Sequence, residues 1–196
     1  MIKINFVLEF QDDIEKAVDV LRKGGLILYP TDTIWGIGCD ATNEDAVQKI
    51  YNLKKRAETK SMIVLLADEL DVLKYTSQPD LRVFDFLKTR LKPTTVIYEG
   101  AMGLASNLIY ADGSAAIRLV KEQFCRHLIK RFRKPIVSTS ANISGHPAPK
   151  LFSEISKEIK DGVDYIVKYR QDEETKHEPS SVIKWNKDGS MIVVRS

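Results

Sequence analysis

The stretch Leu26-Ile27-Leu28-Tyr29-Pro30-Thr31-Asp32-Thr33-Ile34-Trp35-Gly36-Ile37-Gly38-Cys39-Asp40-Ala41 decides between two kinds of α/β fold. Its first four residues form a short apolar run stopped by proline, which reads as a buried strand because proline cannot donate to a sheet ladder. Gly36, Gly38 and Ala41 then match the G-x-G-x-x-A spacing of a dinucleotide-binding turn. That turn works only where the strand passes directly into a helix, so that a pyrophosphate meets the helix N-terminus. Here Pro30 ends the strand well before Gly36, and no helical pattern begins until after Thr42-Asn43. The glycines are therefore read as allowing close backbone packing beside a functional loop. An oxidoreductase built on them is the remotest function weighed. Pro30-Thr31-Asp32-Thr33 has two readings. It is a ligand loop at the carboxyl end of a strand, or a turn whose hydroxyls and carboxylate bond their own backbone.

Working outward, helical and strand patterns alternate along the whole chain. Ile14, Ala17, Val18 and Leu21 follow helical spacing over 13–23, with Asp12 as the expected cap and Gly24-Gly25 as the stop. A second helix from Glu44, capped by Asn43, buries Ala46, Val47, Ile50 and Leu53. Strands are expected at 62–66, 94–98, 115–120, 135–138 and 163–168, and at 181–185 and 191–195 around an Asn186-Lys187-Asp188-Gly189 turn. Between them fall a helix at 79–90 with Pro79 in its first turn and Leu81, Phe84 and Leu87 inward, an apolar stripe over 123–132, and a helix near 151–160. Residues 99–114 carry no clear period. With no repeat or linker, the expectation is α/β: one domain over 1–196, an open twisted mixed sheet with flanking helices.

The chain has 196 residues, 43% hydrophobic and 29% charged, which argues against wholesale disorder. Thirty Lys+Arg against 27 Asp+Glu give a net charge of +3, which permits an anionic ligand without demanding one. Cys39 and Cys125 form no CxxC pair and His127, His146 and His177 are far apart, so neither a disulfide framework nor a zinc site is expected. The opening residues carry no long apolar run, so no signal peptide or membrane span is expected, and the expected setting is cytoplasmic.

Five polar features stand out. Lys54-Lys55-Arg56, with Lys60 beyond, is either a capped, solvated helix end or a clamp for phosphate or carboxylate. Ser138-Thr139-Ser140-Ala141-Asn142, then Ser144-Gly145, concentrates hydroxyl and amide donors past an apolar strand, where they suit phosphate oxygens or a purine edge. Arg118 interrupts the apolar run Ala115–Val120 and must find an anion, several carbonyls or an internal acid, because a buried unpaired charge is very costly. Arg195 follows Ile192-Val193-Val194 in a similar way, or is a terminal residue only. Arg126, Lys130, Arg131, Arg133 and Lys134 make a basic helix face, read first as solvated and second as an RNA contact. There is no P-loop motif, no Ser-His-Asp or Cys-His arrangement and no evident acid–base pair of carboxylates.

Taken together these segments resemble the YrdC-like family of threonylcarbamoyl-adenylate synthases. The matches are 30–41, 50–56, Ile117-Arg118, 138–145, Pro179-Ser180-Ser181-Val182-Ile183 and Val194-Arg195, in family order over nearly the whole chain. The resemblance implies a strongly twisted sheet with a concave, positively charged cavity. It implies conversion of L-threonine, bicarbonate and ATP to L-threonylcarbamoyladenylate and pyrophosphate, a nucleotidyltransferase reaction. The product is the donor for the t6A modification beside the anticodon of tRNA, completed by separate transferase machinery. By resemblance, Thr33, Arg118 and Ser181 hold threonine, while Lys54, Arg56, Lys60, Ser114, Ser138, Ser140, Asn142 and Arg195 line the ATP side. Magnesium accompanies the phosphates, no metal ligand comes from the protein, and no tightly bound cofactor or membrane partner is implied. A tRNA or double-stranded RNA contact is a further expectation.

The chain departs from the family pattern at several positions. Trp35 stands where tyrosine is usual, Leu91-Lys92-Pro93-Thr94-Thr95 replaces a Pro-Gly-Pro-x-Thr segment, Ala57 replaces a proline, and Ser181 replaces a threonine. The C-terminal domain of longer members is expected to be absent, since the sequence stops at Ser196. A YciO-like branch tends to lack the Lys-x-Arg and Ser-x-Asn pairs, present here as Lys54/Arg56 and Ser140/Asn142, which tilts the choice toward a synthase. The alternatives are a YciO-like paralogue and a non-catalytic RNA-binding or ribosome-associated module. The latter would show a broad basic surface and strongly salt-dependent binding.

Overall fold

The computed structural model describes residues 9–57, 62–186 and 188–196, and the strands among them form one sheet. In chain order these are β1 (Ile27–Tyr29), β2 (Gly36–Gly38), β3 (Ile63–Leu66), β4 (Thr94–Tyr98), β5 (Ala115–Leu119), β6 (Ile136–Ser140), β7 (Tyr165–Ile166), β8 (Ser181–Trp185) and β9 (Met191–Arg195). Across the sheet the order is β7-β1-β2-β6-β3-β5-β4-β8-β9. The pairs β1/β7, β3/β5 and β4/β8 are parallel and the others antiparallel, so the sheet is mixed, as the alternating patterns imply.

Successive strand residues point to opposite faces, and in the central strands both faces are covered. Leu28, Val64 and Val137 join one apolar cluster while Ile27, Tyr29, Leu65 and Ile136 join another. Burial on both sides is why these strands read as unbroken apolar runs. Helices α1 (Gln11–Arg22) and α5 (Gln123–Phe132) pack together over the second cluster, Cys125 being fully buried there. Helices α2 (Glu44–Lys54), α3 (Glu69–Tyr75), α4 (Arg82–Lys88) and α6 (Lys157–Asp161) contribute to the first. Local chemistry sets the helix ends. Asn43 Oδ1 accepts from Ala46 N at 3.0 Å, Glu122 accepts from Phe124 N and Cys125 N at 2.9 and 2.8 Å, and Gly24 stops α1 at a φ of 70°.

Some expectations are corrected. Asp12 does not cap α1, which begins at Gln11. Its neighbour Asp13 is buried and accepts from the Tyr165 hydroxyl at 2.5 Å and from Tyr169 N at 2.8 Å, tying the helix to β7 and the chain after it. In α4 the inward residues are Val83 and Phe84, with Leu81 ahead of the helix and exposed and Leu87 half-buried. The helix expected near 151–160 is a 3₁₀ turn, Phe152–Glu154, followed by the short α6. The patternless 99–114 segment holds a 3₁₀ turn, Ser106–Leu108, anchored by buried Leu108. Strand β6 runs on through Ser140, so the hydroxyls of 138–140 sit on a strand rather than a loop.

The Gly36/Gly38 pair lies on β2, hydrogen-bonded between β1 and β6, and not at a helix start. A Cβ on Gly38 would come within 2.6 Å of Val137 O and 2.7 Å of Tyr29 Cε1, so close sheet packing accounts for the glycine. Among the described residues no helix is long and apolar enough to cross a membrane, and no cluster of His, Cys, Asp or Glu could hold a metal ion.

Candidate functional site

Where β2 meets β6, Gly36 opposes Ser140 and Ile37 opposes Thr139, and the sheet face there opens into a cavity of about 550 Å³. Of the residues singled out from sequence, Thr33, Arg56, Arg118, Ser138, Ser140 and Arg195 line it. Among the described lining residues there are three arginines and no carboxylate, so the cavity favours an anion.

Arg118 is 2% exposed in the middle of β5, flanked by Leu65 of β3 and Thr95 of β4. Of the partners weighed from sequence, an internal acid is present: Arg118 Nη2 lies 2.9 Å from Asp32 Oδ1. The pair is held by charge without hydrogen-bond alignment, and Arg118 Nε and Nη2 have no hydrogen-bond partner among the described atoms. Arg118 is one of the residues lining the cavity, and a guanidinium there suits a planar carboxylate. The loop that carries Asp32 satisfies both readings of its hydroxyls. Thr31 Oγ1 donates to Ile34 O at 2.9 Å and accepts from Thr33 N at 3.0 Å, yet Thr33 faces the cavity. Arg170 Nη1 secures the same loop through Thr31 O at 3.2 Å.

The Lys-x-Arg and Ser-x-Asn pairs meet, but not as equals. Lys54 is 1% exposed, with Nζ donating to Ser140 O, to Asn142 O at 2.6 Å and to Asn142 Oδ1 at 3.3 Å. Asn142 Oδ1 also accepts from Ser140 Oγ, and Asn142 Nδ2 donates to His146 O at 2.6 Å. Both side chains brace the loop from behind, and neither lines the cavity. Burial, and then the like charge of Arg56, push Lys54 from 10.5 down to about 7. Arg56 itself reaches the cavity, its pKa lowered by burial against the opposing influence of Tyr51 and Tyr110.

Arg195 forks onto Ser180 O through Nε at 3.0 Å and Nη2 at 2.8 Å, and desolvation together with the charge of Arg118 lowers its pKa. Ser180 and Val182 line the cavity; Ser181, between them, does not, and its amide pairs with Pro93 O at 3.0 Å. Ser114 is buried against Asp112 Oδ1 at 2.5 Å, also outside the cavity lining. Lys60 lies outside the described residues. Residues that sequence reasoning passed over are Ser180, Thr95 and Tyr110. Alternation along β8 from Val182 would have pointed to Ser180, whereas Tyr110 falls in the segment without a period. Trp35 lines the cavity with its ring 4.8 Å from that of Phe152.

Comparison with known proteins gives a consistent result. The family model Sua5/YciO/YrdC, described as "Telomere recombination", matches residues 19–196. A threonylcarbamoyl-AMP synthase of Idiomarina loihiensis is 33% identical over 158 residues, covering 79% of this chain and 85% of the relative. The structure of P. abyssi Sua5 complexed with L-threonine aligns with a TM-score of 0.81 at 22% identity, over 93% of this chain and 53% of that one, so the chain spans about half of that protein. E. coli YciO aligns equally well, with a TM-score of 0.81 at 22% identity over 95% of this chain and 89% of its own. The two structures speak for the fold alone. With the family match running from within α1 to the end of β9 and taking in every strand of the sheet, the chain belongs to the Sua5/YciO/YrdC family.

Proposed function

We propose that this chain is a threonylcarbamoyl-AMP synthase, an enzyme of nucleotidyltransferase type that converts L-threonine, bicarbonate and ATP to L-threonylcarbamoyladenylate and pyrophosphate. Kinship to a curated synthase supports the reading, and the observation in the chain that carries it is Arg118, a buried guanidinium on the wall of a cavity lined by three arginines and, among the described residues, no carboxylate.

In the proposed reaction, threonine's amine attacks the carbon of bicarbonate, the new C–N bond forms, and water leaves to give a carbamate. A carbamate oxygen then attacks the α-phosphorus of ATP, the new P–O bond forms, and the bond to the departing pyrophosphate breaks. Two anions are forced together, so positioning and positive charge carry the rate rather than a proton shuttle. Arg118 takes threonine's carboxylate as a planar fork beside Thr33, with Ser181 or its cavity-lining neighbour Ser180 closing the pocket. Arg56, Ser138, Ser140 and Arg195 meet ATP directly. Lys54 and Asn142 serve it through the loop they brace, and Ser114 and Lys60 complete the assignment. Mg²⁺ enters with the ATP phosphates as part of the substrate. The product would pass to a separate t6A transferase in the cytoplasm, with tRNA contact as part of the same reading, and residues 1–196 would act as one catalytic domain.

The test is pyrophosphate release by the purified chain, with threonine and bicarbonate each omitted in turn. Release that requires both supports the synthase. Absence of release from a folded protein favours a YciO-like paralogue, and strongly salt-dependent RNA binding without release favours the non-catalytic module.

A further inference from the structure

A second cavity, of about 610 Å³, opens beyond the carboxyl ends of the parallel strands β3 and β5, where Ala67 and Val120 follow the last strand residues. Open α/β sheets bind ligands in that position. It shares one wall with the first cavity: Asp32 lines the second while its ion-pair partner Arg118 lines the first. Leu87, Leu91, Pro93 and Leu119 give it an apolar side.

Its charges do not balance. Each carboxylate on its wall is already engaged: Asp32 with Arg118, Asp68 with Lys130 at 3.7 Å, Glu69 with Lys88 at 3.6 Å, and Glu122 with the amides of Phe124 and Cys125. The cations are not so matched. Arg90, Lys121 and Arg126 are hydrogen-bonded or ion-paired to no carboxylate among the described residues; Lys121 Nζ donates only to Arg90 O, at 3.0 Å. Lys92 likewise has no carboxylate partner among the described residues, and the nearby Glu178 carboxylate is bonded to Lys150 at 2.8 Å. Positive charge from the α4–β4 connection, the residue after Val120 and helix α5 therefore converges on one concavity in excess of the carboxylates on its wall.

We propose that this cavity binds a small phosphorylated organic molecule, its phosphate held by Arg126, Lys121 and Lys92 and its body set against the apolar side. A concave site with an apolar wall favours such a ligand over the backbone of an RNA, which is met on a broad basic surface. The site does not rest on the synthase reading, since none of the described residues assigned to threonine or ATP lines it.

The probe is 1-naphthyl phosphate, titrated into the full chain while backbone amide resonances are followed by NMR. Saturable shifts at residues 67–69 and 119–122 are expected. Lys121→Gln with Arg126→Gln should weaken binding by about tenfold or more, the value of a lost charge-assisted hydrogen bond. Arg56→Ala, in the first cavity, should leave it unchanged. Lys121 is exposed, so Lys121→Gln alone carries the test should the double variant fail to fold. Absence of saturation, shifts confined to the first cavity, equal weakening by Arg56→Ala, or binding of duplex RNA but not the naphthyl phosphate at these residues would each overturn the proposal.

Discussion

Asp32 Oδ1 stands 2.9 Å from Arg118 Nη2 with only 10% and 3% of the two side chains exposed, so a fixed negative charge sits directly behind the cavity's most deeply buried cation. Removing one member of a buried pair strands the other. Arg118→Ala should therefore cost about 3–5 kcal/mol of stability as well as threonine-dependent turnover. Asp32→Asn should cost less, since the amide keeps the shape of the carboxylate, but should raise the KM for threonine. Urea unfolding and the pyrophosphate assay read the two effects; a stable, active Arg118→Ala protein would remove the pair from both roles.

Lys54 should make stability depend on pH in a defined direction. Burial lowers it from 10.5 to about 7, so between these values the unfolded chain binds a proton that the folded chain does not. Stability from this group therefore rises with pH across that window and is least below it. Lys54→Met lacks the effect. The wild-type advantage over the variant should grow between about pH 7 and about pH 10, and a constant difference in urea midpoints would contradict the assignment.

Gly38 and Gly36 should respond differently to alanine. At Gly38 the new methyl meets the carbonyl of Val137 at 2.6 Å and the Tyr29 ring at 2.7 Å, neither of which can turn away, so Gly38→Ala should cost at least about 1–3 kcal/mol. At Gly36 the nearest atom is Ser138 Oγ at 3.0 Å, on a side chain that can rotate. Gly36→Ala should fold nearly normally and lose affinity for ATP instead, as calorimetry would register.

Asp13 joins two distant parts of the chain, accepting from Tyr165, Lys168 and Tyr169. Asp13→Ala should cost about 1–3 kcal/mol for each donor left without a partner. Asp13→Asn, which keeps one acceptor oxygen, should recover part of the loss. Thermal unfolding distinguishes the two, and equal losses would mean that charge rather than bonding matters there.

Much of this was legible in the sequence where the deciding chemistry is local. Asn43 as a cap, Gly24 as a stop and Pro30 as a strand end all act within a few residues of themselves. Strand β2 was not legible, because three residues with two glycines owe their strand character to β1 and β6 on either side. Nor was α3, seven residues long with Val72 as its buried member, too short for a period to emerge. In the site, Arg118 could be singled out because a charge inside an apolar run must be answered, but nothing local names Asp32 as the answer. Lys54 reads either as a solvated helix end or as a phosphate or carboxylate clamp, and neither reading names the Asn142 carbonyl that the fold brings over it. Ser181 differs from Ser180 by one residue, and one residue of register exchanges the faces of a strand.

The lysine beneath the Ser140–Asn142 loop also bears on how tightly any ligand could be held. A donor loop that is slack in the free protein must be ordered by its ligand, and that entropy is subtracted from the affinity. Here Lys54 and Asn142 impose the shape from inside, through Ser140 O, Asn142 O and His146 O, when the chain folds. A ligand arriving at Ser140 meets a rigid, preorganised surface, and the free energy of its contacts is left to bind it.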